Sequence, residues 1–171
     1  GMLWAAANGA RVINASLGTH SSAEPLKDAV AQVTASGTLV VGAAGNDGKD
    51  RRMYPAAADG AVAVASVGPG DVLSPFSNFG RWVTVTAPGE EIHSTFAFPA
   101  GSYAANSGTS MATPFVAGEA ALVLARRPTM APAQVKSVLR STARPIDALN
   151  PEHSGELGGG RIDAAAAVSA A

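Results

Sequence analysis

The chain of 171 residues contains no cysteine, only 5% aromatic residues and only 15% charged residues, with a formal net charge of −1. The absence of cysteine excludes disulfides, and it leaves the redox compartment open. Because 12 Lys and Arg stand against 13 Asp and Glu, no basic surplus favours nucleic acid or an acidic membrane surface. The apolar run at residues 117–125 is too short to span a bilayer and is interrupted by Gly118 and Glu119. We expect one globular unit that binds neither nucleic acid nor a membrane.

Hydrophobic residues make up 47% of the chain and fall into alternating strand and helix patterns. Strands are predicted near residues 11–17, 38–44, 61–67 and 82–86. Helices are predicted from a capping box at residues 21–24 up to Gly37, and over residues 110–126, 132–143 and 163–170. This alternation is typical of a parallel sheet that helices cover on both faces.

The most informative segment, residues 107–117, reads SGTSMATPFVA. Ser110 stands before a long run of small residues that predicts a buried helix. A serine at a helix N-terminus lies beside unpaired backbone N–H groups and the positive end of the helix dipole, which can stabilise an oxyanion. Ser110 is therefore a candidate nucleophile, and the alternative is an ordinary N-cap serine.

A second segment, residues 38–48, reads TLVVGAAGNDG. The apolar run predicts a buried parallel strand that delivers a loop at its C-terminal end. Asn46 lies just past that end and is the second candidate for chemistry. The alternative is an asparagine that fills a left-handed turn position before Asp47 and Gly48.

Both segments resemble those of the subtilisin-like serine proteases, the subtilases of peptidase family S8. The resemblance continues through ARVINASLG at residues 10–18, SPFSNFG at 74–80, TAPG at 86–89 and GGGRIDAA at 158–165. It implies a partial subtilisin-like three-layer α/β fold, with a parallel sheet of about four strands flanked by helices. It also implies that residues 1–171 form the C-terminal portion of a single peptidase domain, with a cis bond at Tyr54–Pro55 as an option.

The resemblance assigns roles to individual residues. Ser110 would be the nucleophile, and the Asn46 amide with the Ser110 backbone N–H would form the oxyanion hole. An extended peptide would add to the strand end as in β-augmentation. The implied substrate-binding residues are Ser16, Leu17, Gly18, Ala43, Ala44, Gly45 and Thr109. The small residues of this lining suggest room for a large apolar substrate side chain beside Ser110.

The family places its catalytic Asp and His before the segments present here, and no matching stretch occurs in this sequence. His20, His93 and His153 fall in predicted loops, where we expect solvated side chains rather than a general base. His20 and His93 would lie near the cleft and contact substrate. The expected function is serine endopeptidase chemistry once an Asp/His segment completes the site, with the isolated chain essentially inactive.

Two alternatives stay open at this stage, a non-catalytic peptide-binding protein derived from a protease and a truncated gene product. The resemblance implies no required cofactor. It implies an optional calcium site near residues 56–59 or 83–85, although Thr84 stands where relatives often carry an Asp that could bind the ion. Expected partners are an extended peptide or protein substrate and a second copy paired through the exposed sheet edge. The resemblance suggests secretion, and nothing else in the chain bears on localisation.

Overall fold

A four-stranded parallel sheet forms the centre of the computed structural model, which describes residues 1–21, 24–97 and 101–171. The strand order follows the chain order from β1 to β4. The strands are β1 (Val12–Ala15), β2 (Leu39–Ala43), β3 (Val62–Val67) and β4 (Val85–Pro88). The predicted sheet is confirmed, and the strand expected at residues 82–86 begins only at Val85.

Helices cover both faces of this sheet, as the alternating pattern predicts. Successive side chains of a strand point to opposite faces, so Leu39 and Val41 of β2 enter one core and Val40 enters another. The described helices are α1 (Met2–Ala7), α2 (Glu24–Ala35), α3 (Thr109–Arg126), α4 (Pro132–Thr142) and α5 (Ala164–Ala170). The core with Leu39 is closed by α3 and α4, and the core with Val40 by α2. The three-layer arrangement is thereby confirmed.

Two smaller features complete the description. An antiparallel hairpin of β5 (Ile92–Phe96) and β6 (Ser102–Asn106) precedes α3, and the sequence patterns did not predict it. Short 3-10 helices span Pro69–Asp71, Asp147–Leu149 and Pro151–His153. The capping box predicted at residues 21–24 lies partly outside the described residues, because 22 and 23 are not among them.

The parallel register brings the carboxyl ends of β1 and β2 together, with Ala15 opposite Gly42. Open parallel sheets bind ligands at this edge. The peptide bond between Tyr54 and Pro55 is cis, and Tyr54 pairs with Thr19 just beyond β1. Within the described ranges, β1 has a neighbour on one side only. No helix in those ranges is long and apolar enough to cross a bilayer.

Candidate active site

Ser110 is the second residue of α3, at the helix N-terminus that the sequence predicts. Its hydroxyl donates to the Ser16 carbonyl at 3.2 Å, and the Ser16 hydroxyl donates to the Ser110 carbonyl at 2.8 Å. The Asn14 amide donates in turn to the Ser16 hydroxyl at 3.0 Å. These bonds tie the start of α3 to the end of β1. Among the described residues, the Ser110 backbone N–H has no hydrogen-bond partner.

The orientation of the Asn46 amide follows from its partners. Its Oδ1 accepts from the Thr109 backbone N–H and from the Thr109 hydroxyl, both at 2.9 Å. Because a backbone N–H can only donate, the oxygen must face Thr109 and the Nδ2 group must turn away from it. That NH₂ group finds no acceptor in the described parts of the chain. Two hydrogen-bond donors without an acceptor in the described residues therefore lie beside Thr109. They are the Nδ2 of Asn46, whose oxygen accepts from Thr109, and the backbone N–H of Ser110, which follows Thr109 in α3.

Thr109 is fully buried and connects the two candidate catalytic segments. Its hydroxyl accepts from the Gly45 N–H at 3.1 Å while donating to Asn46. The side chain thus positions the Asn46 amide against the helix start. The substrate-binding role assigned to Thr109 by resemblance stays a prediction, since every contact described for its hydroxyl lies within the protein.

Asn78 supports the loop that follows β2, and the sequence patterns gave it no role. It is fully buried, and its Nδ2 donates to the Ala44 carbonyl at 3.0 Å. Its Oδ1 accepts from the Asp47 N–H at 2.9 Å, and its own N–H donates to the Gly45 carbonyl at 2.9 Å. These partners are about thirty positions away in the sequence, so no local pattern could reveal them. Asn78 holds the backbone on both sides of Asn46.

The two predicted walls of the cleft enclose a side chain that the sequence patterns also missed. A Cβ at Gly18 would lie 2.5 Å from Met53 Cγ, and a Cβ at Gly45 would lie 3.0 Å from Met53 Cε. Met53 therefore fills the space between residues 16–18 and residues 43–45. Leu17 is 64% exposed at the open side of this cleft, whereas residues 43–45 are buried. The space for a large apolar substrate side chain is narrower than the lining glycine and alanines suggest.

Two of the three histidines pair with carboxylates and do not contact Ser110. His20 Nε2 lies 2.9 Å from Asp47 Oδ2, which joins the loop after β1 to the loop after β2. His153 Nδ1 lies 3.3 Å from Glu156 Oε2. Both rings are half-buried, so these two side chains are only partly solvated, and the expectation that neither is a general base stays a prediction. Neither imidazole is hydrogen-bonded to the Ser110 hydroxyl.

His93 lines the same cavity as Ser110. It lies on β5 and, with Ser110, lines a cavity of about 340 Å³ that Met111 and Phe115 complete. Its ring stacks on Tyr103 with centroids 5.8 Å apart. No hydrogen bond joins His93 to Ser110 within residues 24–97 and 101–171. His93 is therefore placed to contact a ligand beside Ser110 without being poised to accept its proton.

The described residues contain no cluster of carboxylates that would support the expected calcium site. Across the described ranges, no group of three or more His, Asp or Glu side chains could hold a metal ion. The Thr84 hydroxyl accepts from the Ala63 N–H at 3.1 Å, and its carbonyl accepts from the Gly159 N–H at 2.9 Å. Each of these oxygens accepts one hydrogen bond within the fold. Calcium near residues 56–59 or 83–85 stays a prediction.

A candidate nucleophile at a helix N-terminus, beside an oriented amide and the carboxyl edge of a parallel sheet, is an arrangement that serine hydrolases of the α/β class use. Comparison with known proteins narrows that class. The model of the subtilase family, peptidase family S8, matches residues 1–162. The chain belongs to the subtilase family.

Curated relatives include subtilisin DY of Bacillus licheniformis, which is 44% identical over 147 residues, covering 84% of this chain and 53% of that protein. Subtilisin BL of Lederbergia lenta is 40% identical over 155 residues, covering 91% of this chain and 57% of that protein. The chain thus spans about half the length of the curated relatives it matches.

Solved structures agree. A protease from Pseudoalteromonas arctica superposes with a TM-score of 0.90 at 34% identity, covering 99% of this chain and 57% of that one. The patellamide maturation protease superposes with a TM-score of 0.87 at 33% identity, covering 99% of this chain and 65% of that one. The predicted family and fold class are both confirmed.

Proposed function

We propose that this chain carries the nucleophile and the oxyanion hole of a serine-type endopeptidase. In this proposal it is the C-terminal portion of the peptidase domain, and an Asp and a His come from the part of the domain that it does not span. The observation that carries the proposal is the pair of unused donors, Asn46 Nδ2 and Ser110 N–H, beside the Ser110 hydroxyl. The substrate is an extended peptide or protein lying along residues 16–18.

The geometry suggests the following chemistry. The Ser110 Oγ attacks the peptide carbonyl carbon, its proton passes to the imidazole of the completing His, and the carbonyl oxygen becomes an oxyanion. Asn46 Nδ2 and the Ser110 N–H donate to that oxyanion. The tetrahedral intermediate then expels the amine, which takes the proton from the imidazolium and leaves an acyl-enzyme on Ser110. Water activated by the same His hydrolyses this ester.

The isolated chain is expected to be essentially inactive. The Ser110 hydroxyl donates to the Ser16 carbonyl, and a backbone carbonyl cannot accept the proton in the reaction. Without a base, acyl transfer loses several powers of ten, roughly 10³-fold or more, and keeps only what binding and the oxyanion hole contribute.

A second candidate function is peptide binding without cleavage. The exposed Leu17 and Gly18, which follow the end of β1, favour it, because both are open to an added strand even when Ser110 has no base. Two further parts belong to the proposal. Export from the cell rests on the family resemblance. Pairing of two copies through β1 rests on the strand's open edge.

The test is fluorophosphonate labelling followed by intact-mass analysis and mapping of the modified residue. We expect no adduct with the folded chain alone. Adding the part of subtilisin DY that this chain does not match should produce an adduct on Ser110. That adduct should vanish in Ser110→Ala and persist in Ser94→Ala, a matched control because Ser94 lines the same cavity.

Two results would contradict the proposal. A rapid adduct on the chain alone would mean that it supplies its own base, and His93→Ala would then be the variant to examine. A complemented pair that cleaves peptides normally with Ser110→Ala would remove Ser110 from the chemistry.

A further inference from the structure

Three side chains of α3 stand at helical spacing and line one depression, the exposed Phe115 and Leu122 and the buried Glu119. Phe115 is 45% exposed and Leu122 is 53% exposed, although α3 runs through the centre of the fold. They border a depression of about 690 Å³ whose walls also include Pro114, Ile162 and Ala164. We call this depression the α3 groove.

Glu119 lines the α3 groove and has no partner there. The residue is only 2% exposed, and neither carboxylate oxygen has a hydrogen-bond partner among the described residues. Burial, with a smaller contribution from the Asp163 carboxylate, raises the pKa of Glu119 to about 7. A buried carboxyl without a partner is unfavourable, and a protein normally pairs such a group with a donor or a cation.

The charged neighbours of Glu119 are already engaged. Asp163 Oδ1 accepts from the Ala166 N–H at 3.0 Å and caps α5. Arg161, the cation that lines the groove, pairs its Nε with Asp71 at 2.7 Å and donates from Nη1 to the Ile162 carbonyl. The groove therefore holds a buried carboxyl group without a hydrogen-bond partner inside a mostly apolar rim.

We propose that the α3 groove binds a polypeptide segment in which a lysine or arginine side chain stands between apolar residues. The cation pairs with Glu119, and the apolar neighbours cover Phe115 and Leu122. Charge complementarity selects this occupant, since an apolar segment alone would leave the carboxylate buried and unpaired. The origin of this segment rests on the proposed function. It belongs to the part of the peptidase domain that supplies the Asp and the His.

The test uses the folded chain and two synthetic probes, acetyl-Leu-Lys-Leu-amide and its norleucine isostere. Both are titrated by NMR at about pH 8, where most Glu119 is ionised. We expect the lysine peptide to shift resonances around Gly118 and Leu122 and to bind at least about tenfold more tightly than the isostere. That difference should disappear in Glu119→Gln and persist in Glu152→Gln, which removes an exposed carboxylate elsewhere.

A second readout separates an ion pair from a merely structural effect. By linkage, about tenfold tighter binding to the ionised carboxylate lowers its pKa by about one unit in the complex. A ¹³C titration of the Glu119 carboxyl with and without the lysine peptide should therefore show a lower pKa in the complex.

Equal binding of the two peptides, an unchanged preference in Glu119→Gln, or no binding of the lysine peptide would overturn the proposal. Concentration-dependent shifts at the groove without peptide would assign it to a second copy and would also overturn it. The fluorophosphonate experiment does not involve Glu119, so failure of this inference is distinguishable from failure of the proposed function.

Discussion

Replacing Glu119 by Gln should make the isolated chain more stable at alkaline pH and change little at acidic pH. The pKa of Glu119 rises from its ordinary value of 4.5 to about 7 in the folded state. Between these two values the folded chain keeps a proton that the unfolded chain has released. Stability therefore falls as pH rises through this window, and the contribution of the neutral acid is fully present only below about pH 4.5.

The size of the effect follows from the shift. A displacement of about 2.5 pKa units at about 1.4 kcal/mol per unit corresponds to about 3.5 kcal/mol, of which about 3 kcal/mol of stability is lost between about pH 4 and about pH 8. Glutamine keeps the shape of the side chain and has no proton to release. The advantage of the variant over wild type should thus grow by about 3 kcal/mol across the window, or about 6–12 °C in Tm for a chain of this size.

The assay is urea unfolding followed by circular dichroism at several pH values from about 4 to about 8, with Glu119→Gln beside wild type. Comparing the two proteins at each pH cancels the other titrating groups, which they share. Glu152→Gln serves as the exposed control and should follow wild type. Parallel stability curves for wild type and Glu119→Gln would refute the reasoning, because they would mean that Glu119 ionises without cost in the folded chain.

Three further predictions concern the site. Asn78→Ala should lower the free energy of unfolding by about 2–4 kcal/mol, because it leaves buried backbone groups unpaired; thermal denaturation checks this, and a loss below about 0.5 kcal/mol would contradict it. In the complemented enzyme, Thr109→Val should reduce kcat by about tenfold with little change in KM, because the Asn46 amide keeps the bond from the Thr109 backbone N–H but loses the bond from the hydroxyl; an equal rise in KM would instead indicate a substrate contact. Met53→Gly should shift peptide preference toward large apolar side chains by about tenfold or more, measured by NMR binding of matched alanine and phenylalanine peptides; an unchanged preference would show that Met53 does not limit the slot.

Much of this fold was predictable because its signals are local. Buried parallel strands appear as continuous apolar runs, and β2 and β3 are buried at every residue, so their patterns were unambiguous. The β5–β6 hairpin was not predicted, because β5 is mostly exposed and carries no alternation of buried and exposed residues. Its place before α3 depends on packing that a short stretch of sequence does not encode.

The candidate site, like the fold, was predictable from the sequence only in part. Ser110 and Asn46 could be named from the chain alone, since each belongs to a distinctive motif at a predicted helix start or strand end. The contributions of Asn78 and Met53 could not, because their partners lie tens of residues away and meet only when the strands pair.

The sequence by itself therefore determined the family, through its motifs, and the four parallel strands with the helices that cover them, through short-range periodicity and turn chemistry. It also supplied Ser110 and Asn46 as candidate residues. Tertiary structure alone decided which way the Asn46 amide faces, which side chain narrows the cleft, and that the Glu119 carboxylate is buried without a partner. Those properties depend on distances between residues remote in the chain, and the packing of α3 against the sheet sets these distances.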